Sequence, residues 1–240
     1  MKGRQGDAMD RKTVEMYRLA LFGRMVMGVA HEVDNHLSVV LGFSELIRMT
    51  SSNERKVADG AGKILSAGER TAAIIRNFSN YVRPHEPSME PFSPMEMIPE
   101  ILTFAKYDLG RNGVVITAPS SVPPGHIQGD KRDLALAILA LLFNGSETMA
   151  GKGGELAIHV ARDESDWEFA ISDQGGGIPP GFEERIFEEG FTTRTEPFHT
   201  GMGLPVARHL VSAAGGKLRL ENAPGGGFVA AVRVPPKPPA

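Results

Sequence analysis

Cysteine is absent from the 240 residues, which excludes disulfides, thiolate catalysis and cysteine-ligated zinc. No apolar run approaches the ~20 residues of a membrane span. The opening MKGRQGDAMDRKT lacks the apolar core of a signal peptide. These absences lead us to expect a cytoplasmic chain with no direct membrane insertion. Positive charge is not in surplus either: 26 Lys and Arg stand against 29 Asp and Glu, a formal net charge of -3. With no broad basic surface to neutralise a phosphate backbone, nucleic acid is not an expected partner. No internal repeat is visible. What is present is a 41% hydrophobic content, sufficient for a core, and 28 glycines that are denser in the second half than in the first, which points to two regions.

From Lys12 to about Met49 apolar residues recur at helical spacing. Leu19, Val26, Val33, Val40 and Ile47 fall seven apart, with Phe22, Val29 and Phe43 three residues after members of that series. After TSSN a second series, Val57, Ala61, Ile64, Gly68, Thr71, Ile75, Phe78 and Val82, alternates steps of four and three and stops at Arg83-Pro84. The pattern predicts a long antiparallel helical hairpin over residues 12–87. Alone it would expose its seam, so two copies should pair as a four-helix bundle, giving a homodimer. PHEPSMEPFSP is a proline-rich linker, with a boundary near residue 88. Beyond it we expect helices near Pro94 to Gly110, Lys131 to Met149 and Leu204 to Ala214. Strands are expected near VVITA, ELAIHV, WEFAIS, KLRLEN and GFVAAVRV. The fold class is α+β: the hairpin, then an α/β sandwich with a mixed sheet over residues 88–236, with short tails at 1–11 and 237–240.

Within the first helix, VAHEVDNHL gathers two histidines, two acids and an asparagine. With Val26 at heptad position a, His31 falls at f, the position most remote from the seam. A core role for it is therefore excluded, and an incidental surface residue and a nucleophile both remain open. A metal shared by the two histidines is disfavoured, because His36 lies roughly 140° round the helix from His31 at ~100° per residue. His36 falls at d, where a polar residue can set helix register.

Three stretches of the second region have chemistries that converge. LAILALLFNGSETM is an apolar helix carrying Asn144 and Glu147 on adjacent turns. AISDQGGGIPP delivers Asp173 from a strand to a glycine-rich turn. A buried carboxylate there can accept a hydrogen bond from an exocyclic amine such as adenine's, and the glycines let backbone approach a planar ring. FTTRTEPFHTGMGLPVARHLV is a long loop whose GMG run opens a helix, and free amides at a helix start attract phosphate. Each signal alone is commonplace, but the ordered set is specific.

The chain resembles a bacterial sensor histidine kinase reduced to its dimerisation and phosphoacceptor hairpin and its catalytic ATP-binding domain, over about residues 15 to 236. AHEVDNHLSVVLGFSELI resembles the family's H-box and LLFNGSETM its N-box. SDQGGGIPP is similar to the first glycine box, RIFEEGFTTR to the phenylalanine-rich segment and TGMGL to the second glycine box. The resemblance implies autophosphorylation of His31 from ATP and transfer of the phosphoryl group to an aspartate on a response regulator receiver domain, with ATP and Mg2+ bound. It implies Asn144 as Mg2+ ligand and Asp173 as adenine reader. Glu147, Gly175, Gly177, Thr193, Arg194, Gly201, Gly203 and Leu204 are implied as further nucleotide-site residues. Glu32 beside His31 is placed to take up the proton that the attacking imidazole must lose. Asn35, one turn on, is placed to orient a water in a phosphatase reaction.

The sequence departs from the family pattern at four positions. His36 stands where many relatives have proline, so no proline kink is expected there. Ala140 replaces an asparagine one turn before Asn144, Gly145 a common alanine, and His199 a common glycine. Ala140 also speaks against a simple ATPase of the same superfamily, which places a water-activating glutamate at that point. An adaptor that relays phosphate through His31 without ATP would typically lack Asp173, Gly175, Gly177 and Gly203, all of which persist here. No sensor segment of useful length precedes residue 12, so we expect either regulation by a partner or an excised core.

Overall fold

Asp10 starts the first helix by accepting the amide of Thr13 at 2.7 Å, and from there α1 runs unbroken from Arg11 to Met49. The computed structural model describes residues 9–50, 53–194, 200–224 and 226–237. Asn53 caps α2, Glu54–Val82, through the amide of Lys56, and the residue before Pro84 leaves the helical region as its steric clash requires. Packing divides the chain into two units. One is Phe22–Arg83; the other joins the stretch up to Leu21 with the chain from Pro84 onward. The division thus differs from the sequence boundaries at 12 and 87. It falls at Pro84, and the first three turns of α1 bury Val14, Arg18 and Leu21, at i, i+4 and i+7, in the larger unit.

In the helical unit, Phe22 meets Phe78 edge-on and stacks on Tyr81, with ring centroids 5.7 and 5.9 Å apart. A Cβ at Gly60 would stand 2.9 Å from Ile47 Cγ1, so glycine lets the helices approach closely there. Val33, His36, Val40, Phe43 and Ile47 form the half-buried seam of α1. The expected seam fails at its N-terminal end: Val26 is 47% exposed while Met25 is fully buried. An α-helix turns 3.6 residues, not 3.5, so a heptad stripe drifts about 20° per repeat.

The larger unit is an α+β sandwich. Its elements are β1 (Glu90–Phe92), α3 (Pro94–Arg111), β2 (Val114–Thr117), β3 (Ile127–Gly129), α4 (Lys131–Thr148), β4 (Gly154–Arg162), β5 (Trp167–Asp173), α5 (Gly203–Ala213), β6 (Lys217–Asn222) and β7 (Phe228–Val234). A mixed sheet runs in the order β2-β4-β5-β7-β6, with only β2 and β4 parallel. Buried and half-buried residues alternate strictly along β5 and β7, as expected for strands with one face against helices. The run from Leu134 to Phe143 is buried all round, which makes α4 the central helix. The proline-rich linker ends in β1, which pairs antiparallel with β3; neither strand was expected from the sequence.

Candidate functional site

α4 presents Asn144 and Glu147 half-buried on its last two turns, with Thr148 one residue on. Asp173 ends β5 beside them and is 5% exposed. Burial pushes its carboxyl above the ordinary value of 3.8, against the opposing pull of the Gly175 amide, the Thr148 hydroxyl, the Phe228 amide and the Arg194 charge. Gly175 donates its amide to Asp173 Oδ1 at 2.8 Å. A Cβ on Gly175 would fall 2.1 Å from Thr148 Oγ1, so only glycine brings this turn so near α4. Gly145, where relatives carry alanine, has its own cause: a Cβ there would lie 2.9 Å from Leu156 Cδ1 and 3.3 Å from Asp173 Oδ2.

The third stretch reaches the same place. Arg194 Nη1 lies 2.8 Å from Glu147 Oε2, tying the FTTR segment to α4, while the neighbouring Thr193 is exposed. Phe182 and Phe191 pack at 5.4 Å with the Arg185 guanidinium over both rings. Gly201 sits at φ +66, and its side-chain direction is filled by the Gly190 and Phe191 backbone at 2.5 Å. Gly203 and Leu204 open α5, whose N-cap Met202 supplies no side-chain cap, leaving the first-turn amides to a ligand or to water. His199 lies outside the described residues.

Two residues that hold this site had not been singled out. Asn222, at the end of β6, accepts the Ile178 amide at 2.6 Å and donates to the Ile178 carbonyl at 3.0 Å, pinning the turn that contains Gly177. Thr148 donates its hydroxyl to the Gly145 carbonyl at 2.7 Å and bounds Gly175. Thr148 was visible as a polar residue one turn past Asn144; nothing local marks Asn222, which acts 44 residues from its partner.

In the helical unit, His31 and Asn35 are exposed on α1. The Glu32 side chain is 44% exposed, and its Oε1 lies 3.6 Å from His36 Nε2, one turn on. No helix among the described residues is long and apolar enough to cross a membrane.

Residues 129–238 match the family of histidine kinase-, DNA gyrase B-, and HSP90-like ATPases. The chain is 29% identical to two-component sensor PprA of Pseudomonas aeruginosa over 93% of its own length and 25% of PprA, and 26% identical to sporulation kinase C of Bacillus subtilis over 95% of its length and 52% of that protein. It therefore spans a quarter to about half of these relatives. Among solved structures, the mycobacterial sensor histidine kinase MprB is 27% identical with a TM-score of 0.53, covering 63% of this chain and 99% of that one. Histidine kinase ThkA in its complex with response regulator protein TrrA shares the fold, with a TM-score of 0.54 and 20% identity over 93% of this chain and 64% of that one.

Proposed function

We propose that the chain is a protein-histidine kinase that phosphorylates His31 from ATP and passes the group to an aspartate of a response regulator receiver domain. The observation that carries this reading is the meeting of three distant stretches at one place: Arg194 bonds Glu147, Asp173 accepts the Gly175 amide, and Gly175 lies against Thr148. Relatives named as sensor kinases along most of the chain support it, as does the ThkA complex with its response regulator.

In this reading Asp173 accepts the exocyclic amine of adenine, and the first-turn amides of α5 with Gly201 and Gly203 face the phosphates. Asn144 would lend its amide oxygen to a Mg2+ ion, whose charge would offset that of the phosphates; an oxygen-donor amide suits that hard cation. One ring nitrogen of His31 attacks the γ-phosphorus, the P–O bond to ADP breaks, and the other nitrogen gives up its proton toward Glu32. Exposure of His31 on α1 leaves it open to the nucleotide unit and to a receiver domain in turn. Asn35 is placed to orient water for dephosphorylation of that partner. In the assembly we propose, two copies join through the hairpin.

The test is incubation with γ-labelled ATP and Mg2+. We expect acid-labile, base-stable label on the parent and none on His31→Gln, with ATP binding retained. Label persisting on the variant would move the phosphoacceptor elsewhere.

A further inference from the structure

A buried ionic cluster in the larger unit takes no part in this chemistry. His85, in the linker after α2, has a side chain 4% exposed and its Nε2 2.8 Å from Asp130 Oδ2. Asp130 caps α4 through the Asp133 amide at 2.9 Å and also accepts the Ser88 amide at 2.8 Å. Asp133 in turn faces Arg11 at 2.9 Å and Arg18 at 2.5 Å. Glu15 pairs with both arginines, at 3.0 and 3.3 Å, and Arg11 donates to the His85 carbonyl at 3.1 Å. One network thus joins the first turns of α1, the linker and the start of α4. Tyr17, on the same segment, lies at α5: its hydroxyl is 3.2 Å from where a Cβ on Gly203 would stand.

The cluster is not a cation site. Ligand atoms of His85, Asp130 and Asp133 lie within 4.8 Å of one another, but each Asp133 oxygen already holds a guanidinium. Arg11, Arg18 and the nearby Arg132 balance Glu15, Asp130 and Asp133, so the network is neutral when His85 is neutral. Burial alone would raise Asp130, but the Ser88 and Asp133 amides and His85 outweigh it and hold the carboxyl below its usual range. An ionised Asp130 can only accept, so His85 Nε2 donates. His85 Nδ1 is buried with no hydrogen-bond partner among the described residues. A proton there would add a fourth cation and a donor with no acceptor among the described residues of a buried site, an unmet group of the kind that is costly to bury.

We propose that His85 is a proton-operated latch: neutral, it closes the network that holds the first turns of α1 and the linker to α4; protonated, it releases them. Resting on the kinase reading, release frees the nucleotide unit and speeds phosphorylation of His31. Burial pushes His85 below its ordinary value of 6.5; the Asp130 charge opposes this, and the Arg18 and Arg132 charges reinforce it. The released histidine binds its proton more readily than the latched one. The latch is therefore at full strength above pH 6.5 and weakens as pH falls below that value.

Hydrogen exchange of residues 11–21 in the full chain, corrected for intrinsic rates, tests the latch from pH 8 to 5.5. We expect protection to fall several-fold in the parent, with about tenfold as the ceiling for one group titrating at 6.5 when released, and to stay constant in His85→Gln, whose amide donates to Asp130 without titrating. Nitrogen-labelled histidine NMR on the unaltered chain should show one imidazole titrating below 6.5 in step with that loss. This measurement decides the matter if the variant does not fold. Protection independent of pH in the parent, pH dependence that persists in His85→Gln, or no imidazole titrating in step overturns the latch. Arg18→Met should open the segment at pH 8 and raise labelling of His31 several-fold with ATP affinity unchanged. An open segment with unchanged labelling overturns the gating step. Failure of the parent to label at all counts against the kinase reading, and the exchange data still decide the latch.

Discussion

In the kinase reading Asp173 is asked to do two opposing things, and its environment records the conflict. To read an amine it must be ionised, yet burial makes the ionised form expensive and raises its pKa above 3.8. A raised carboxyl is protonated more readily in the fold than in the unfolded chain, so its charge at neutral pH lowers stability. Asp173→Asn should therefore raise the melting temperature of the ligand-free protein by a few degrees. It should also weaken ATP binding tenfold or more, since charge-assisted hydrogen bonds are roughly twice as strong as neutral ones. The pH profile of ATP affinity carries the same sign: binding in the parent should begin to fail at a pH above the usual carboxylate range. Scanning calorimetry and titration of a fluorescent ATP analogue measure both. A variant that is destabilised and binds ATP like the parent would remove Asp173 from the base site.

Between elements, the tie that matters is Arg194 to Glu147, which fastens a long loop to α4 with side chains 23% and 16% exposed. An ion pair that well covered holds geometry better than a surface pair. Arg194→Met should lower ATP affinity about tenfold, ~1.4 kcal/mol, while leaving the fold intact. It should also speed proteolysis of the glycine loop; an unchanged cleavage pattern and affinity would show that the loop is held by other contacts. Elements of this kind were legible in the sequence to the extent that their causes are local. The apolar run of α4, the alternation in β5 and β7 and the stop at Pro84 are each written within a few residues of the structure they produce. β1 and β3 were not legible, because three residues carry no period and each strand is completed by a partner about 40 positions away. Arg18 was missed for the same reason: a charge on a helix reads as surface unless Asp133, 115 residues on, is known to meet it. In the site, the motif residues could be named from their order, but Asn222 and the Glu147–Arg194 pair are products of folding.

At the scale of the whole molecule, the helical unit leaves too much apolar surface uncovered for a solitary hairpin. Leu37 is 43% exposed, Leu41 70%, Leu46 42%, Leu65 64% and Ile75 49%. Leu37 and Leu41, at i and i+4, share one face of α1. Burying a leucine fully is worth ~1.5 to 3 kcal/mol, so several half-exposed ones brought together can outweigh the cost of association. In the proposed assembly a second copy of the same hairpin would supply a matching seam under two-fold symmetry. Because Leu37 and Leu41 are exposed in the single chain, charging them need not disturb the fold of a monomer. Leu37→Glu combined with Leu41→Glu should therefore give a folded monomer that still binds ATP, whereas charging the buried Phe22, which packs on Phe78 and Tyr81, should unfold the helical unit. Sedimentation equilibrium should find the parent dimeric at micromolar concentration and the double variant monomeric, with helical circular dichroism largely kept. A monomeric parent would leave these leucines without a partner and sink the four-helix bundle, and with it any transfer that passes between subunits.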